Sequence, residues 1–170
     1  MAKINILNKI SAAGPLILLY YLSISEVDAN LENFLEIFSI NLQIIIIYFW
    51  MIKRPILMGT GHIFVAGLIN DVVMGFPLGI SSLSYLVVCF VGNYVRNKSV
   101  NTTLASDWFT FLIALLFSNL LLYLLINNFS DLAIPFSKIG YNTFFTLFLF
   151  PIFWFLFNIY QMSFIGSQDA

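Results

Sequence analysis

The chain is poor in charge. Asp, Glu, Lys and Arg make up 9% of its 170 residues, against 61% hydrophobic residues and a mean hydropathy of +0.95. That balance lies far outside the range of a soluble globular domain and places the sequence among integral membrane proteins. Cysteine and histidine occur once each. Cys89 sits in apolar sequence without a partner, which excludes an intramolecular disulfide and says nothing about redox compartment. With His62 alone, there is no Cys/His cluster at metal-ligand spacing, no Gly-rich phosphate loop after a strand, and no second acid near Asp71 in sequence. No catalytic residue, cofactor, metal or nucleic-acid partner is therefore expected, and His62 reads as an interfacial or helix-packing residue. Repeats, Gly/Ser linkers and low-complexity tracts are also missing, so residues 1–170 are treated as one polytopic membrane domain.

What is present is a series of uncharged stretches: Ile10 to Ser25, Ile37 to Ile52, Pro55 to Asn70, Val72 to Val95, Trp108 to Ser130 and Ile139 to Gln168. A helix crossing the hydrocarbon needs about 20 mostly apolar residues, so each stretch with its flanks supplies one crossing. The expected fold is all-α, with six transmembrane helices over residues 10–26, 34–52, 56–74, 80–96, 107–127 and 139–161. If the N-terminus is cytoplasmic, the inner loops carry Lys3, Lys9, Lys53, Arg54, Arg96 and Lys98, and the outer loops only Lys138. Basic residues concentrate on the cytoplasmic side, which predicts both termini inside. The opening "MAKINILNKISAAGPLILLYYLSIS" also resembles a secretory signal, but no small-x-small cleavage site follows its apolar core, and it reads as a retained first helix.

Aromatic residues reach 18% of the chain. Tyr48, Trp50, Tyr94, Trp108 and Tyr160 lie near expected span ends and fit interfacial belts, with the Phe-rich final helix facing lipid. Pro151, in the middle of that helix, should bend it, because its ring removes a backbone bond and crowds the preceding turn. Cys89, Gly92, Asn93, Ser118 and Asn119 are helix-packing candidates.

The third helix carries the most information. Counting by four gives Gly59, Ile63, Gly67, Asp71 and Gly75, a stripe of small residues and one acid. Small residues at this spacing let another backbone approach, which predicts a buried, central helix with Asp71 turned into protein. After Asp71 come Gly75, Pro77 and Gly79, and the next helix begins at "ISSLS". Its first backbone N–H groups have no intrahelical acceptors and cannot turn to water inside packed protein. Asp71 is expected to accept from them and from Ser81 or Ser82, with Gly75 and Gly79 permitting the tight turn. A proton-relay role for Asp71 is the alternative.

The run "NLQIIIIYFWMIKRPILMGTGHIFVAGLINDVVMGFPLGISSLSYLVVCFVGNYVRN" resembles the core of the rod-shape-determining MreD family, most specifically in "GLINDVVMGFPLG". The last helix, with Pro151 followed by Phe and Trp, is similar to that family's final span. The resemblance implies a non-enzymatic inner-membrane subunit of the bacterial elongation machinery, with a fold like the six-helix substrate-binding subunits of energy-coupling-factor transporters. It implies association with a bitopic MreC-like protein, which connects cytoplasmic MreB filaments to RodA and its penicillin-binding transpeptidase. One departure is the tail "FNIYQMSFIGSQDA", which has no Lys or Arg where family members often end in a basic segment. The other reading is transport: a vitamin-binding transporter subunit or a proton-coupled carrier would also have an intramembrane acid beside a broken hairpin. Against it, the outer loops lack polar and aromatic groups that would converge on a ligand. The topology is checked by single cysteines in a Cys-free background. An impermeant reagent should label Asn30, Phe76 and Asn128 positions in intact cells and leave Asn5, Lys98 and Ser167 positions protected; labelling at Ser167 would remove or invert the sixth crossing.

Overall fold

In a computed structural model the described residues are 2–25, 41–98, 103–129 and 135–165, and every regular element among them is helical. The helices are α1 (Ala2–Ile24), α2 (Leu42–Lys53), the single turn α3 (Pro55–Met58), α4 (Thr60–Met74), α5 (Ile80–Lys98), α6 (Leu104–Phe129) and α7 (Phe136–Tyr160). A π-helical turn, Gln161–Ile165, continues α7. Among the described residues two helices are long and apolar enough to cross a membrane, α6 and the α7 run through Ser163. α2 has 12 residues and α4 has 15, which at 1.5 Å per residue is shorter than a hydrocarbon core of about 30 Å. The expected helix over 34–52 begins here at Leu42, and residues 34–40, with the acidic first loop, lie outside the described set.

The centre of the bundle is α2, not the Gly-rich helix. Nine consecutive residues, Ile44 to Ile52, are buried. "IIIIYFWMI" is apolar on every side, and such a helix is stable only when surrounded. α1, α5 and α7 all pack on it. This corrects two expectations. Tyr48 and Trp50 do not belong to a lipid-facing belt: each is at most 1% exposed, and Trp50 packs against Phe49, Phe157 and Tyr160. α4 is peripheral, with Ile63, Ala66, Gly67, Asn70 and Asp71 buried while Phe64, Val65 and Val72 face outward.

The four-residue stripe is also shorter than its count implies. Gly59 has φ +59 and Gly75 has φ +68, so both stand outside α4, one separating it from α3 and the other ending it. The expected helix over 56–74 is thus split at Gly59. Only Ile63, Gly67 and Asp71 of the stripe lie on the helix. At Gly67 the expected close approach is present: a Cβ there would come within 2.6 Å of Ser82 N and 2.8 Å of its Oγ, so α4 and α5 meet backbone to backbone. Gly92 similarly faces the Met51 side chain, and Cys89 is buried, whereas Asn93 is exposed.

α6 and α7 form the long antiparallel pair, closed on α2 by aromatic packing. Phe111 and Phe150 stack with centroids 4.1 Å apart, and the Tyr48 ring lies against both. Ser118 donates to the Ser84 carbonyl of α5, and Asn119 donates to Thr143 of α7. α7 is the most open helix, with Thr146 and Phe150 its buried residues. Pro151 lies inside α7 and removes the N–H that would serve the carbonyl four residues back. That carbonyl, Leu147 O, accepts instead from Trp108 Nε1 of α6 at 3.0 Å. Trp108→Phe should therefore strand an acceptor and destabilise the protein by about 1–3 kcal/mol. Reversible unfolding in mixed micelles measures this, and the penalty should shrink in a Pro151→Ala background, where residue 151 regains its own donor.

Candidate functional site

The corner between α4 and α5 is built from the backbone outward. α4 ends in a left-handed Gly75, with Phe76 N donating to Asp71 O at 2.9 Å and Gly75 N to Val72 O. This is the Schellman arrangement, which a residue with a side chain adopts only under strain. Pro77 then turns the chain, and Gly79, at φ +102, is the residue from which α5 starts. The start of a helix needs an acceptor for its second or third N–H, usually supplied by a Ser, Thr, Asp or Asn at the capping position. Glycine has no side chain to offer.

Asp71 supplies the acceptor from the preceding helix. Its carboxylate is 0% exposed. Oδ2 accepts from Gly79 N at 2.7 Å and Oδ1 from Ser81 N at 2.8 Å. Each oxygen therefore holds one backbone donor of the turn, and the negative charge sits at the positive end of the α5 dipole. The Ser81 and Ser82 hydroxyls, expected as further donors to Asp71, bond elsewhere. Ser81 Oγ accepts from Asn70 Nδ2 at 3.0 Å, and Ser82 Oγ donates to the Phe64 carbonyl at 2.9 Å. Ser82 thereby ties α5 back to α4 beside Gly67.

Three further residues extend the corner into the core. Asn70 Oδ1 accepts from Gln43 Nε2 at 3.0 Å, and Gln43 Oε1 accepts from Tyr85 OH at 2.6 Å. α2, α4 and α5 are thus linked in one polar chain, Tyr85 to Gln43 to Asn70 to Ser81. Sequence reasoning did not select Gln43, Asn70 or Tyr85. A signal existed in Gln43, the one polar side chain at the head of the apolar α2 run, and in Asn70, adjacent to the acid.

The remaining sequence candidates are spread over the molecule. Gly59 lies at the opposite end of α4 from Asp71, next to His62, whose Nδ1 meets Tyr20 OH at 3.1 Å. Pro151 belongs to the α6–α7 contact. An open groove of about 560 Å³ on α7 is lined by Phe136, Ser137, Gly140, Tyr141, Phe144 and Phe145, none of which belongs to the Asp71 corner. A second buried acid, unremarked in the sequence, is Asp107 in the first turn of α6, beside Lys53 and Trp154.

Comparison with protein-family models, with curated proteins and with solved structures gives no match to this chain. A carboxylate whose two oxygens are both engaged by main-chain N–H groups is an acceptor in the architecture. Asp71→Asn keeps one acceptor and turns an amide N–H₂ toward the other backbone donor, so it should fold with a loss of about 1–3 kcal/mol. Asp71→Leu strands both donors and should fail to accumulate in the membrane. Expression level and unfolding midpoint of the two variants measure this; equal stability of wild type and Asp71→Leu would sink the structural assignment.

Proposed function

We propose that this protein is a non-enzymatic, multi-pass scaffold subunit of the bacterial inner membrane that serves the cell-elongation machinery, in the manner of the MreD family. The observation that carries the reading is the Asp71 corner. The segment that most specifically resembles the family, "GLINDVVMGFPLG", is the segment in which the acid is consumed by capping α5. An acid on a transport pathway faces the path of the proton or ion; the Asp71 carboxylate is fully buried and both its oxygens face backbone donors of the α5 start. The six-crossing, N-in and C-in topology of this reading rests on the six apolar segments and on the six-to-one distribution of basic residues. Short α2 and α4 would then cross together with their flanking turns, in a bilayer that thins locally around them.

In this role the protein associates with a bitopic MreC-like partner and acts through it on RodA, its transpeptidase and MreB. Depletion in a rod-shaped host should cause rounding and lysis while vitamin uptake stays normal. The protein should also copurify with the bitopic partner after crosslinking in membranes. Normal rods with an uptake defect would reverse the reading in favour of a transporter subunit.

A further inference from the structure

Asp107 poses a problem that the proposed function leaves unsolved. It is 2% exposed, in the first turn of α6, where Lys53 of α2 and Trp154 of α7 meet it. All described polar contacts of its carboxylate fall on one oxygen. Oδ2 accepts from Trp154 Nε1 at 2.9 Å and lies 3.6 Å from Lys53 Nζ. Oδ1 is equally buried and accepts from no donor among the described residues. A buried carboxylate oxygen without a donor is costly, and native proteins seldom retain one without a reason.

The shape of the surroundings indicates what would satisfy it. Lys53 Nζ stands 5.6 Å from the centre of the Trp154 ring, so carboxylate and aromatic face enclose a cation between them. The ammonium is a point charge and fits this enclosure poorly: at 3.6 Å it is beyond hydrogen-bond length from Oδ2. A guanidinium is planar, donates two parallel N–H groups to the two oxygens of a carboxylate, and stacks on an aromatic ring. It would meet Oδ1 and Oδ2 together and lie along Trp154. We propose that Asp107 and Trp154 form a guanidinium-binding site of the kind that takes an arginine side chain, and that Lys53 is its resident occupant in this structure. The Lys53 side chain is 16% exposed, so the site lies near the protein surface. Exchange of one cation for another leaves the pair neutral, which a low-dielectric site requires.

The test is chemical rescue of the purified, full-length protein in micelles. Lys53→Met should lower the unfolding temperature by leaving Asp107 uncompensated. Methylguanidinium should restore it saturably, at concentrations where tetramethylammonium at equal ionic strength does not. The rescue should vanish in Lys53→Met/Asp107→Asn, and the accompanying change in tryptophan fluorescence should vanish in Lys53→Met/Trp154→Phe. No rescue, equal rescue by tetramethylammonium, or rescue that survives Asp107→Asn would overturn the site. Should Lys53→Met not fold, Lys53→Arg decides: the fork should engage both oxygens and raise the unfolding temperature, and an unchanged or lower value rejects the proposal.

Discussion

A backbone that turns back on itself inside an apolar bundle must find acceptors for its N–H groups without help from water. The corner between α4 and α5 is the place where this chain meets that constraint, and Asp71 is how it is met. The main-chain carbonyl of Asp71 closes the end of α4 and its side chain opens α5. One residue thereby terminates one helix and caps the next. The glycines follow from the same requirement, since Gly75 and Gly79 hold positive φ angles that bring the α5 start back within reach of the acid. Gly67, one turn earlier, then lets the two backbones touch along Ser82.

The buried corner fixes more than two helices. Asn70 and Ser81 flank the acid and pass the constraint to Gln43 and Tyr85, so the polar chain pins the N-terminal turn of α2 to the same place. α2 is in turn tied to α7 at its N-cap, where Asn41 N donates to Thr146 Oγ1 at 3.0 Å. At mid-helix Tyr48 OH bonds Thr110 of α6, and at its far end Lys53 reaches Asp107. Because α2 has no polar face, its rotation and register are set by these few polar links at its ends and centre. Apolar packing alone would specify them weakly, since a helix that is apolar on every side can be rotated without exposing a polar group.

The helical class was legible in composition alone, and so was the importance of the break after Asp71, because glycine and proline punctuate local structure directly. The identity of the central helix was not. Small residues suggested the Gly-rich helix, but close approach at Gly67 requires burial on one side only, whereas the continuous run from Ile44 to Ile52 leaves no side for solvent or for a distinct lipid face. The stripe count failed at Gly59 for a related reason. Periodicity assumes an unbroken helix, and a residue at φ +59 resets the phase. Within the corner, the acid and the backbone donors were separated by sequence distances short enough to reason about. The partners of the serine hydroxyls were not, because Asn70 and Phe64 come into range only once the α4–α5 contact exists.

The two buried acids differ in a way that bears on what each end of the bundle can do. Asp71 spends both oxygens on main-chain donors of its own corner, and such donors cannot leave without unfolding the turn. Asp107 is held through one oxygen, by the tips of two side chains from α2 and α7, and side chains can change rotamer while the helices stay in place. The first arrangement gives permanence and the second permits exchange. Fixed and adjustable contacts thus stand in different places: a corner held by main-chain bonds, and an ion pair made by side-chain tips. The α6–α7 pair, more open to its surroundings than α2, is joined to the C-terminal end of α2 through Asp107 and Lys53.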